Sequence, residues 1–99
     1  MEKLFSYGTL SNASVLRELL GREAEMAPAQ LIGWKKSMIR IGSTSYPAIV
    51  SEVGGKVEGK VFLVSKDELQ KLDEYETQAY HRRKIILKDG ISVWVYVRA

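Results

Sequence analysis

Cysteine is absent from the 99 residues, and histidine occurs once, at His81. Without thiols there are no disulfides, no thiolate nucleophile, no cysteine-based zinc site and no iron–sulfur cluster. With one imidazole, a metal site would rest almost wholly on carboxylates, and neither a metal nor another cofactor is expected. Ser6 and Ser65 have no histidine at motif spacing, so a serine hydrolase has no support. Long hydrophobic runs are also missing. The longest apolar stretches are four or five residues, such as Val61 to Val64, too short to span a bilayer. The N-terminal run Met1-Glu2-Lys3-Leu4-Phe5-Ser6-Tyr7 lacks a basic region followed by a long apolar one. It is not expected to act as a signal peptide, and the cytoplasm is the expected compartment. There is no repeat, low-complexity stretch or linker, so one domain is expected over residues 1–99.

What is present suits a small packed domain. Hydrophobic residues make up 45% and charged residues 27%, which excludes a disordered or collagen-like chain. Fifteen basic residues face twelve acidic ones, a net charge of +3. The densest basic clusters, Lys35-Lys36 and Arg82-Arg83-Lys84, read as solvated strand faces rather than a nucleic-acid footprint. Trp34 and Trp94 likewise read as strand-packing aromatics rather than base-stacking platforms.

Residues 3–7 form a short strand candidate that runs into Gly8-Thr9-Leu10, with Ser11-Asn12 as helix caps. Val15, Leu16, Leu19 and Leu20 draw an apolar helical stripe, closed by Gly21. Pro28 is expected to break the chain before a strand over residues 30–41. Residues 46–50 and 57–63 read as two strands joined by a Gly54-Gly55 hairpin turn. Ser65-Lys66-Asp67-Glu68 is a capping box opening a helix to about Glu76. Strands over 82–88 and 91–98 meet at Asp89-Gly90. Five or six strands with two short helices in irregular alternation indicate an α+β fold.

Two places can carry chemistry. With Leu69 as the buried reference of the second helix, Leu72 lies about 60° away and Glu76 about 20° away at 100° per residue. Glu76 therefore lies on the buried stripe, flanked by Tyr75 and Tyr80. Burial there would raise its pKa and suit it to general acid/base work. The same wheel admits two plainer readings: fraying that leaves Glu76 in water, or an ion pair with Arg82. The second place is Tyr7-Gly8-Thr9-Leu10, where backbone N–H groups at a strand-to-helix turn can bind a carboxylate or oxyanion. Read plainly, Gly8 only shapes the turn. His81, with no second His or Cys, reads as an exposed strand residue.

Taken together these segments resemble the gamma-glutamylcyclotransferase-like family, nearest in size to its small single-domain members related to gamma-glutamylamine cyclotransferase. The resemblance is carried by Leu4-Phe5-Ser6-Tyr7-Gly8-Thr9-Leu10, Tyr46-Pro47-Ala48-Ile49-Val50 and Val57-Glu58-Gly59-Lys60-Val61-Phe62. It continues with Leu72-Asp73-Glu74-Tyr75-Glu76, then Tyr80 and Arg82, and closes with Val93-Trp94-Val95-Tyr96-Val97.

The resemblance implies a small mixed β-barrel with two flanking helices and a cavity at the Tyr7-Gly8-Thr9-Leu10 loop. Glu76 would match the family's catalytic glutamate, in a reaction that forms 5-oxoproline and releases an amine or amino acid. The loop from Tyr7 to Leu10 would bind substrate, Tyr7, Tyr80 and Tyr96 would wall the pocket, and Arg82 would orient Glu76 or Tyr80. The substrate's own amine attacks its γ-carbonyl, so no enzyme nucleophile is required. The expected partner is a small γ-glutamyl compound, with no nucleic acid and no membrane, acting on a monomer. Two other readings stand beside it: a non-catalytic metabolite binder of the same fold, and a basic β-barrel that binds nucleic acid.

Overall fold

A computed structural model describes residues 1–76, 79–87 and 89–98, and for Thr9 the backbone alone. It contains five strands and two helices: β1 (Glu2–Ser6), α1 (Ala13–Leu20), β2 (Ala27–Ile41), β3 (Thr44–Val64), α2 (Lys66–Glu76), β4 (Tyr80–Ile86) and β5 (Ser92–Arg98). A single 3₁₀ turn, Thr9–Ser11, links β1 to α1. The strands form one curled half-barrel sheet in the order β2-β3-β1-β5-β4. Among the described residues only the β1–β5 pairing is parallel, so the sheet is mixed and the fold is α+β, as expected.

Strand alternation divides the core between the two sheet faces. Leu4, Phe62, Val64 and Tyr96 point to the helices and meet Leu16, Leu20, Leu69 and Leu72. Phe5, Leu31, Ile49, Val57, Val93, Val95 and Val97 fill the other face, inside the curl. The run from Val93 to Val97 is apolar on both faces because β5 lies between β1 and β4 with side chains covered above and below.

Local chemistry sets the helix ends. Asn12 Oδ1 accepts from the Ser14 and Val15 N–H groups, and Gly21 closes α1 in a left-handed conformation. The capping box of α2 forms in both directions: Glu68 N–H donates to Ser65 Oγ (3.1 Å), and Ser65 N–H donates to Glu68 Oε1 (2.8 Å). The same carboxylate takes Arg22 Nε and Nη2 at 2.7 and 2.8 Å, tying the chain after α1 to the start of α2. Those Arg22 bonds, helped by the Ser65 N–H, hold the Glu68 carboxyl down at about 2.

Two expectations are corrected. Gly54-Gly55 is not a hairpin turn, and the two strands expected on either side are one strand, β3. The hairpin is at Gly42-Ser43, where Ile41 pairs with Thr44. Opposite Gly33, the pairing steps from Ile32–Lys56 to Trp34–Ser51, so Glu52 to Gly55 bulge out of the ladder. Gly54, at φ 78°, supplies the left-handed backbone the bulge needs. Nor does Pro28 break the chain. It lies inside β2, paired with Lys60. β2 is an edge strand, where a residue without an N–H is tolerated. The Asp89-Gly90 hairpin forms, with Leu87 N–H bonded to the Ile91 carbonyl. Lys88, expected to end the strand before it, lies outside the described residues.

Candidate active site

β1 ends at Ser6, and the chain turns through Tyr7, Gly8 and the 3₁₀ turn. Ser11 holds that turn by donating both its N–H and its hydroxyl to the Gly8 carbonyl. The C-terminal end of α2 arrives beside it and is followed by β4. These segments enclose a cavity of about 270 Å³. Its floor includes Phe5, Ser6, Leu10 and Tyr96, and Glu76, Tyr7, Gly8 and Tyr80 line it too. Tyr46 and Ile41, from the β2–β3 hairpin, and Tyr75 form its exposed rim.

Glu76 is half-buried at the last residue of α2, one turn beyond the fully buried Leu72. Its carboxylate has no hydrogen-bond or ion-pair partner among the described residues. Desolvation alone pushes its pKa up to about 7. Three tyrosines surround it, and each feels its charge. Burial chiefly raises the Tyr7, Tyr80 and Tyr96 hydroxyl pKa values, and the Glu76 carboxylate adds to all three.

The protons of these hydroxyls are already placed. Tyr7 donates to the Tyr96 carbonyl, Tyr80 to the Pro47 carbonyl and Tyr96 to Asp73 Oδ1, each at 2.7 Å. None is donated to Glu76. The Tyr7 and Tyr80 oxygens therefore offer lone pairs near a carboxylate, an acceptor-rich setting suited to an amine or ammonium group.

The sequence-predicted residues separate cleanly. Tyr7, Gly8, Leu10, Glu76, Tyr80 and Tyr96 line one cavity. The side chain of Thr9 lies outside what the structure describes. Arg82 neither lines the cavity nor meets Glu76 or Tyr80. Its guanidinium forks onto Asp73, Nε to Oδ1 at 2.7 Å and Nη2 to Oδ2 at 3.0 Å, and lies 4.6 Å from the Trp94 ring centre. Asp73 precedes Glu76 by almost one turn and bonds both Arg82 of β4 and Tyr96 of β5. Trp34 is likewise overlaid by Arg83. Sequence reasoning placed the rim residue Tyr75 only as a flank of Glu76, and missed Ile41 and Tyr46 on the rim and Ser6 on the floor. Tyr46 had a signal, since it opens the Tyr46-Pro47 segment; Ile41 had none without the hairpin at Gly42. Among the described residues no cluster of His, Asp or Glu could hold a metal ion.

The half-barrel thus carries a lone, proton-affine carboxylate in a cavity that a backbone turn also lines. The family model described as "Gamma-glutamyl cyclotransferase, AIG2-like" matches residues 4–99, and the chain belongs to that family. AIG2-like protein D of Arabidopsis thaliana is 38% identical over 86 residues, covering 86% of this chain and 55% of the relative. AIG2-like protein C of the same plant is 37% identical over 83 residues, covering 83% and 47%. The chain thus spans about half the length of the curated relatives it matches. An Arabidopsis thaliana protein solved in solution superposes with a TM-score of 0.79 at 31% identity, covering 98% of this chain and 68% of that one. A solved gamma-glutamyl cyclotransferase gives the same TM-score at 21% identity, covering 99% and 66%, a likeness of fold.

Proposed function

We propose that the chain is a metal-independent gamma-glutamyl cyclotransferase in which Glu76 is the general acid/base. The observation that carries this reading is the unpaired Glu76 carboxylate, poised near neutrality in the cavity that the Tyr7–Leu10 turn also lines. A carboxyl with a pKa near the working pH both accepts and returns a proton efficiently.

In the proposed reaction the substrate's α-ammonium lies against Glu76 and the Tyr7 and Tyr80 oxygens. Glu76 takes a proton, and the freed amine attacks the γ-carbonyl carbon. A carbon–nitrogen bond forms in the five-membered ring, and the bond from that carbon to the leaving nitrogen breaks. Glu76 gives that proton to the leaving nitrogen, and the second proton, which the ring nitrogen sheds to become the lactam N–H, follows it to the departing amine, which leaves as an ammonium. Because both reacting groups belong to one molecule, holding the chain folded supplies much of the acceleration. Backbone N–H groups of the Gly8–Leu10 turn stabilise the substrate carboxylate or the developing oxyanion.

The leaving group passes the rim of Ile41, Tyr46 and Tyr75. No lysine, arginine or histidine is among the cavity's described lining residues, so a carboxylate on the leaving group gains no cation there. This favours amines with an apolar body over amino acids. The test is a screen of γ-glutamyl amines, γ-glutamyl amino acids and glutathione for 5-oxoproline release. Release, fastest from apolar amines, supports the reading. A protein that binds 5-oxoproline but turns over none of them is a metabolite binder of the same fold.

A further inference from the structure

Ser6 is a buried polar residue at 6% exposure, in a strand otherwise filled by Leu4 and Phe5. Alternation along β1 puts it on the Leu4 face, the side of the helices and of Tyr96. It lines the cavity. Its hydroxyl has no hydrogen-bond partner among the described residues. Nor is it sealed off, since the one buried side-chain polar atom found without a partner there is Trp94 Nε1. A largely buried hydroxyl that faces a cavity with nothing to bond is costly unless something entering the cavity meets it.

The donor inventory of the cavity singles it out. The described lining has no cationic side chain, and Tyr7, Tyr80 and Tyr96 direct their protons to Tyr96, Pro47 and Asp73. Tyr46 and Tyr75 stand at the exposed rim. Ser6 is thus the one uncommitted side-chain donor on the floor among the described residues. A γ-glutamyl group brings oxygens on its α-carboxylate and its γ-carbonyl, both of which need donors, while Glu76 and the tyrosine oxygens are acceptors.

We infer that Ser6 is a substrate-contacting residue whose hydroxyl donates a hydrogen bond to an oxygen of the bound γ-glutamyl group. This rests on the cyclotransferase reading and extends it to a residue outside the turn and the glutamate. No covalent step is assigned to Ser6, and it has no base beside it to activate it as a nucleophile.

The test compares wild type with Ser6→Ala by steady-state 5-oxoproline release, 5-oxoproline titration calorimetry and thermal unfolding. The expected result is a fall in kcat/KM of about 10- to 100-fold, the usual worth of a hydrogen bond to a charged or developing anionic oxygen. Tm should stay level or rise, because alanine removes an unpaired buried hydroxyl. A loss carried by KM with weaker 5-oxoproline binding identifies the carboxylate as the partner. A loss carried by kcat identifies the γ-carbonyl oxygen. Active wild type together with a Ser6→Ala variant of unchanged kcat/KM overturns the inference and leaves the cyclotransferase reading standing. A fall in activity that merely tracks a lowered Tm overturns it too. Wild type that neither releases nor binds 5-oxoproline overturns the cyclotransferase reading and the role of Ser6 with it.

Discussion

Asp73 and Glu76 lie three residues apart on α2 and meet opposite surroundings. Asp73 receives two bonds from Arg82 and one from the Tyr96 hydroxyl, while Glu76 receives none from the described residues. The arginine stabilises the first carboxylate, and desolvation raises the pKa of the second to about 7. Of two acids on one helix, one is thereby tied down as a structural anchor and the other is left without a partner among the described residues. The anchor also touches the site, since Tyr96 joins Asp73 to the cavity wall.

Glu76→Gln should lower turnover by about two to four orders of magnitude, the usual worth of a positioned acid/base group. 5-Oxoproline should still bind, because the Gly8–Leu10 turn is unchanged. The variant should also be more stable at alkaline pH. The wild-type carboxyl has a raised folded pKa, so its favourable contribution is complete below the unfolded value and is lost as pH rises through about 7. Allowing for its partial exposure, the variant should gain about 1–2 kcal/mol at pH 8 and little at pH 4. Thermal unfolding at the two pH values, with turnover on the same preparation, checks this. A folded variant with wild-type turnover would move attention to Glu74, the neighbouring exposed carboxylate on α2.

The pH profile of kcat/KM should rise through a limb near pH 7, where Glu76 loses its proton and becomes able to accept one. Steady-state rates from pH 5 to 9 measure it. The limb should be absent from the residual activity of Glu76→Gln, and its persistence there would assign it to another group.

Arg82→Met removes the fork onto Asp73 but keeps an apolar stem against Trp94. Loss of two charge-assisted bonds at a partly exposed pair should cost about 1–2 kcal/mol, a Tm drop of several degrees. Below that temperature, turnover should fall far less than in Glu76→Gln. A variant of wild-type stability that loses all turnover would place Arg82 in the chemistry after all.

Gly59→Ala should damage the site from behind. A Cβ there would run into the Ser6 carbonyl oxygen and lie 2.6 Å from Phe5 Cζ. The strand must shift, at a cost of about 1–3 kcal/mol for an overpacked position. Chemical denaturation should show the loss, and 5-oxoproline affinity should fall with it because Ser6 and Phe5 both line the cavity.

Chelator treatment should leave 5-oxoproline release unchanged, since the proposed steps use a carboxylate and backbone donors. Loss of activity restored by a divalent ion would count against the mechanism.

Much of this protein is written locally. Asn12, Gly21, the Ser65–Glu68 box and the Asp89-Gly90 hairpin act through bonds within a few residues, so the sequence alone located both helices and the last hairpin. The helical repeat likewise put Glu76 beside Leu69 and Leu72, because a wheel needs no knowledge of what lies opposite. Strand pairing is another matter. Gly54-Gly55 has the composition of a turn and Pro28 that of a break, yet a bulge opposite Gly33 and an edge position absorb them. Arg82 could be matched to an acid from sequence, but its choice of Asp73 over Glu76 depends on how α2 lies against β4 and β5. Ser6 left a trace, a polar residue on the face Leu4 buries, though its meaning needed the cavity. Spacing sets what a residue's neighbours along the chain will be; burial, pairing and proton affinity come from neighbours across it, and only the folded sheet brings those together.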